Sequence, residues 1–154
     1  MAPNQTKRLT DDQAAYIAGL VDGEGTVTLS AEHRGERRRI VVSISNTELP
    51  LLTYVLEAAG VGKITNKRVT KPDHTPSFAY RVTSRQAIAL LAQIHPFLRS
   101  YKAKRAELAL AQYVVLTPRN GKYSKDVAQQ RHHFEGEFLA IRASTSPVVD
   151  CNEG

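Results

Sequence analysis

Two carboxylates, Asp22 and Glu24, close a run in which small residues lead into acidic ones: Ile17-Ala18-Gly19-Leu20-Val21-Asp22-Gly23-Glu24-Gly25. Carboxylate oxygens are hard ligands suited to Mg²⁺, and a divalent cation so held can activate water and stabilise the oxygens of a phosphodiester during hydrolysis. Ala18 and Gly19 would let a second helix approach backbone to backbone, which would bring equivalent carboxylates together. The same small residues could equally serve tight packing inside one subunit. Further along, Asn46 ends an alternating run, and Lys102, Lys104 and Arg105 form a cationic group of which any member could face phosphate. His132 and His133 are adjacent, so they project to different sides of a helix, and with no matching ligands beside them they are read as structural.

The elements that must position these groups follow from pattern. Thr10 and Gln13 form a capping box, and Ala14, Ala15, Ile17, Ala18 and Val21 continue an apolar helix over roughly residues 11 to 22, stopped by Gly23 and Gly25. Residues 26–32 alternate polar and apolar; a turn at 33–36 leads to a second alternating run ending near Ser45, giving a hairpin with one apolar face. Asn46 or Thr47 can cap a second helix with Pro50 in its first turn, closing at Gly60. Residues 62–70 and 77–83 read as two further strands around a Pro-Asp turn, and a Thr83–Gln86 capping box opens a helix to about His95. Pro96 starts another helix through Leu116, residues 117–121 form a loop, and 125–142 make a weaker amphipathic helix.

This order, α-β-β-α-β-β-α plus an extra helix, predicts an α+β domain with one curved four-stranded antiparallel sheet and helices against one face. The covered face would carry Val27, Leu29, Val42, Ile44, Ile64, Val69, Phe78, Tyr80 and Val82. The other would carry Thr28, Ser30, Glu32, Arg37, Arg39, Ser43, Lys63, Thr65, Lys67 and Arg81, a mixture of cations and short hydrogen-bonding groups that suits base readout with phosphate contact. A merely solvated outer face is the competing reading, and it predicts more acidic residues than are present. Residues 1–9 read as an arm, 10–143 as the domain and 144–154 as a disordered tail.

The bulk composition agrees. The chain has 154 residues, with 21 Lys and Arg against 15 Asp and Glu, a net charge of +6 that favours a polyanionic partner. The only cysteine, Cys151, has no partner for a disulfide or a Cys-based zinc site. No stretch reaches the length of a membrane span, and the N-terminus lacks the apolar core of a secretory signal. The expectation is an intracellular protein, in a bacterial cytoplasm or an organelle, without membrane contact.

The run from Ile17 to Gly25 resembles the signature of the LAGLIDADG homing endonucleases, matching at every position with conservative changes. Asn46 at the end of a strand, the Gly60-Val61-Gly62 turn, and His95-Pro96-Phe97-Leu98 leading to Lys102 extend the likeness over roughly residues 10–116. The family motif usually carries Asp where this chain has Glu24, whose extra methylene moves the carboxylate by about one bond length. The resemblance implies a DNA endonuclease of the single-motif, homodimeric type, serving intron homing and leaving short 3′ overhangs. It implies Glu24 and the Gly23 carbonyl as ligands of Mg²⁺ or a similar divalent cation, and Glu24, Asn46 and Lys102 as catalytic residues. Asn46 would position water and Lys102 would polarise the site. Asp22 is read as structural. Ala18, Gly19 and Val21 are expected at the dimer interface. A symmetric dimer reads one half-site twice, so the target would be long, near-palindromic double-stranded DNA. Two alternatives keep the fold: a maturase binding intron RNA, and a catalytically inactive DNA-binding regulator. A third reading is an interaction protein whose basic sheet meets an acidic protein.

Overall fold

The computed structural model describes residues 5–67 and 75–144. The elements run α1 (Asp11–Glu24), β1 (Gly25–Ser30), β2 (Arg39–Asn46), α2 (Leu49–Ala59), β3 (Lys63–Asn66), β4 (Phe78–Thr83), α3 (Ser84–Ile94), a 3₁₀ turn (His95–Phe97), α4 (Tyr101–Gln112) and α5 (Lys125–Ala140). The fold class is α+β, as the patterning requires.

Helix α1 starts where its capping box dictates. Thr10 Oγ1 accepts from the Gln13 N–H, and Gln13 Oε1 accepts from the Thr10 N–H, satisfying two otherwise orphaned donors. Asp11 and Asp12 then complement the positive end of the helix. The helix does not stop at residue 22. It runs through Gly23 to Glu24, and Gly25 ends it by turning extended while its N–H still donates to Val21 O.

Four antiparallel strands pair in the order β1-β2-β4-β3. Helix-facing Val27, Leu29, Ile40, Val42, Ile44, Tyr80 and Val82 join Ile17, Ala18 and Val21 of α1, Leu90, Leu91 and Ile94 of α3, and Ala106 and Ala109 of α4 in one core. Burying a large aliphatic side chain contributes roughly 1.5–3 kcal/mol, so slipping β2 by one residue would turn Ile40, Val42 and Ile44 to the other face and forfeit most of that. Register is thereby fixed, and with it the composition of the open face: Thr26, Thr28, Ser30, Arg39, Ser43, Arg81, Lys63 and Thr65. Val41, buried between Thr28 and Thr83 in the register, and Ala79, between Ser45 and Thr65, are the apolar exceptions there.

Several sequence expectations shift. Ile64 and Phe78 pack against the core only partly buried. The third strand covers Lys63–Asn66, whereas Val69 and the Pro-Asp turn lie outside the described residues, as do 145–154 with Cys151. Neither Asn46 nor Thr47 caps α2; Glu48 holds that position without a side-chain bond, while Asn46 Oδ1 accepts from the Glu48 N–H. Thr83 does precede α3, but its side chain makes no capping bond and Ser84 takes a positive φ of 57°. The helix expected from Pro96 is broken, because Leu98 is extended after the 3₁₀ turn and Ser100 caps a fresh helix, α4, by accepting from the Lys102 N–H. α5 ends at Ala140 rather than 142.

The helix α5 is pinned by one buried cation. Arg131 donates to Leu116 O, Thr117 Oγ1 and Arg38 O, between the rings of Tyr113 and Phe134. No helix among the described residues is long and apolar enough to cross a membrane.

Candidate functional site

The junction between α1 and β1 is held by contacts from three directions. A Cβ on Gly25 would lie 2.8 Å from Ser43 O and 2.8 Å from Val21 Cα, so only glycine lets the end of α1 descend this close to β2. Lys102, almost wholly buried, donates from Nζ to the Val21 and Asp22 carbonyls at 2.9 Å each, satisfying groups that a helix C-terminus leaves orphaned. Asp22 in turn accepts from the Arg99 N–H at 2.9 Å, the Ser100 N–H at 3.1 Å and the Ser100 hydroxyl at 2.6 Å. Because Ser100 caps the helix that carries Lys102, the bonds close a ring from α1 to α4 and back.

The ring sets two charges. Partial burial pushes the Asp22 carboxyl up, but the Ser100 and Arg99 hydrogen bonds together with the Lys102 charge outweigh it and hold the group below its ordinary range. Burial pulls the Lys102 ammonium below the usual lysine range, partly opposed by Asp22. Lys102 is therefore clamped onto the end of α1 by two of its three Nζ donors. Arg105 is also committed, donating to Val27 O and Ile141 O at 2.8 Å; of the three cations, Lys104 is exposed.

Glu24 is different. It is exposed, and it has no hydrogen bond or ion pair among the described residues. A carboxylate in the last turn of a helix faces the negative end of the macrodipole, an unfavourable placement by about 0.3–1 kcal/mol. Asp22 offsets that cost through its ring of donors; Glu24 has no such partner among the described residues. Among the described residues no three His, Cys, Asp or Glu side chains gather into a ligand set. The groups here that could hold a divalent cation are the Glu24 carboxylate and backbone carbonyls such as that of Gly23. This donor chemistry fits Mg²⁺, provided outside oxygens complete the usual six.

Asn46 lies at the same end of the sheet. Gly25 pairs with Ile44, and Asn46 continues β2 two residues past that point, toward the end of α1. Its Oδ1 is taken by the Glu48 N–H, leaving the amide NH₂ as a donor.

From this end the open face extends away for the length of β1, about 17 Å for six residues. Thr26 and Ser43 hydroxyls bond each other at 2.7 Å; Glu32 pairs with Arg39 and approaches Arg81 at 3.8 Å, holding two guanidiniums side by side. Lys63, Thr65 and Lys67 are exposed, and Thr28 and Ser30 share this face. Arg37 lies off the end of β2, stacked 3.6 Å from the Tyr123 ring centroid. Sequence reasoning missed Tyr123, and nothing in the spacing links it to Arg37.

The small-residue stripe is not where the motif suggested. Ala18 and Val21 are fully buried in the core of the chain itself, whereas Gly19 is exposed. Helical steps of four put Ala15, Gly19 and Gly23 on one exposed face, and a Cβ on either glycine would meet nothing within 4 Å. Packing among the described residues gives no reason for either glycine.

A family model for the LAGLIDADG-like domain matches residues 11–95, more than half the chain. The chain belongs to the LAGLIDADG family. Solved structures share its fold: the homing endonuclease I-CvuI in complex with its target in the presence of Ca, with a TM-score of 0.69, 16% identity, and coverage of 90% of this chain and 87% of that one. The archaeal intron-encoded homing endonuclease I-Vdi141I complexed with DNA gives 0.64 and 19%, covering 92% and 91%. The LAGLIDADG meganuclease I-AabMI bound to uncleaved DNA gives 0.60 and 17%, covering 89% of this chain but 53% of that one. No curated protein sequence matches.

Proposed function

We propose that two copies of this chain assemble through α1 into a homodimeric homing endonuclease that binds a long, near-palindromic DNA duplex and cuts both strands with Mg²⁺ at Glu24. The observation that carries this reading is the uncompensated Glu24 carboxylate, at the sheet end where α1 also exposes Ala15, Gly19 and Gly23. Helix glycines cost about 1 kcal/mol each relative to alanine, and close approach of a second α1 gives both a purpose. That approach would bring two Glu24 carboxylates together, supplying the oxygens one subunit lacks.

The residues divide the work. Lys102 and Asp22 fix the root of α1, so that Glu24 starts from a rigid backbone. The Asn46 NH₂ is free to hold a water or a phosphate oxygen. When bound, Mg²⁺ would supply Lewis-acid stabilisation of phosphate charge and a stronger water nucleophile. The open face spans roughly five base-pair steps of ~3.4 Å along β1 alone. Arg39 and Arg81 present guanidiniums suited to the O6 and N7 of guanine, with Thr28, Ser30, Ser43 and Thr65 adapting around them. The fold-sharing proteins I-CvuI, I-Vdi141I and I-AabMI were each seen with DNA, which supports the duplex as ligand.

Incubating the protein with a randomised plasmid library and Mg²⁺, then sequencing the linearised molecules, tests this. The expected result is a family of near-palindromic sites, cut on both strands. Binding without cleavage under any divalent cation would instead return the inactive DNA-binding regulator.

A further inference from the structure

The entrance to β2 is a run of three arginines, Arg37-Arg38-Arg39, and the fold brings two more to it from distant parts of the chain: Arg85 at the start of α3 and Arg131 of α5. All five line one open pocket of about 440 Å³, with no carboxylate among its lining residues. Guanidiniums stay charged at any physiological pH and repel one another, so gathering them without acids favours an anion between them.

Much of their donor capacity is uncommitted. The Arg37 guanidinium is stacked over the Tyr123 ring, which holds its plane while its N–H groups make no hydrogen bond among the described residues. Arg85 gives a single bond, to Thr117 O at 2.9 Å. Arg131 is 2% exposed, and its Nε is buried without a hydrogen-bond partner, 3.8 Å from Glu135. Helix α3 also opens here: Thr83 and Ser84 line the pocket, and no side chain caps the helix's first N–H groups, which adds the positive end of the helix to the guanidiniums.

Place decides which anion. Ser30 pairs with Arg39 at the end of the sheet remote from Glu24, whereas Gly25 pairs with Ile44 at the near end. Arg39 and Thr83 line both this pocket and the hollow that Glu32, Lys63 and Arg81 form on the open face, so a duplex lying along that face passes the pocket as it leaves. The group it offers there is a backbone phosphate, which matches the guanidinium fork and is the same for every base pair.

We infer that this pocket seats a phosphodiester of the duplex just outside the stretch that the open face covers, so that Arg37 and Arg85 anchor the outer end of each half-site without reading its sequence. That role rests on the duplex-binding reading and takes Arg37 out of the base-reading set.

Binding to a site selected from the plasmid library tests it, using wild type, Arg37→Gln and Arg85→Gln, circular dichroism to verify folding, and duplexes with a neutral methylphosphonate at single outer positions. One such substitution per half-site should weaken wild type roughly tenfold and change Arg37→Gln by less than about twofold. Base preferences should be kept in the variant, with the salt slope lower by about one for each pocket. Arg85→Gln gives the same readout if Arg37→Gln fails to fold. A wild type indifferent to every outer methylphosphonate, or an Arg37→Gln loss confined to one base identity, would overturn the inference and leave DNA binding standing. Calorimetry with inorganic phosphate alone separates the sources: phosphate bound by a wild type that ignores the methylphosphonates would make this a free-anion site and overturn the backbone assignment. A wild type that binds no duplex would remove the DNA reading and this inference with it.

Discussion

Replacing Asp22 by Asn tests whether the ring at the end of α1 is what fixes the site. Asn keeps one oxygen, which stays with Ser100, but turns an NH₂ toward the Arg99 N–H, so a 2.9 Å hydrogen bond becomes donor against donor. Hydrogen bonds to a charged group contribute about 1.5–3 kcal/mol each, and those to Ser100 lose their charge assistance. Asp22 is only partly shielded, so the expected loss is about 2–4 kcal/mol. For a chain of this size that lowers the melting temperature by roughly 5–15 °C. Urea unfolding followed by circular dichroism measures it, with an unchanged denaturant slope as the check on two-state behaviour. The pH dependence follows in sign: the folded carboxyl titrates below its unfolded value, so its contribution is complete above about pH 4 and is lost as pH falls through the folded pKa. The variant should therefore lose less stability than wild type on acidification below pH 4. A loss under about 0.5 kcal/mol, with the acid limb unchanged, would refute the ring.

Gly19→Ala should raise the thermal stability of dilute, monomeric protein by about 0.5–1 kcal/mol through helix propensity, because its Cβ meets nothing in the subunit, while weakening the dimer measured by light scattering. Gly25→Ala places a methyl group against the backbones of Ser43 and Val21, and should cost about 1–3 kcal/mol in chemical denaturation. Alanine at Arg39 or Arg81 should cost about 1–3 kcal/mol at one base position in competition binding. Equal losses on every sequence, with only a reduced salt slope, would make these phosphate contacts.

Much of the architecture was legible because strand alternation is unambiguous: Val27 and Leu29 against Thr26, Thr28 and Ser30 allow one register only. The helix end was not, since Gly23 looks like a stop and the Lys102 bonds that satisfy carbonyls in the last turn come from a residue eighty positions away. The same long reach hid the contacts of Lys102. Ala18 and Val21 were misplaced because each helical residue turns about 100°, and the apolar members of the motif face their own core; the four-residue spacing of Ala15, Gly19 and Gly23 was the available signal. The break after Pro96 was written in Ser100, a good cap that long Ala- and Leu-rich sequence beyond it overshadowed.

The central claim is that Glu24 is the carboxylate that engages the cation, and Glu24→Gln tests it most directly, because the change keeps size and reach while removing charge. On a site selected from the plasmid library, the variant should bind in Ca²⁺ with affinity equal to wild type or higher, since repulsion against phosphate is relieved. It should show no Mg²⁺-dependent cleavage of either strand. Near-normal cutting by folded Glu24→Gln would contradict the account.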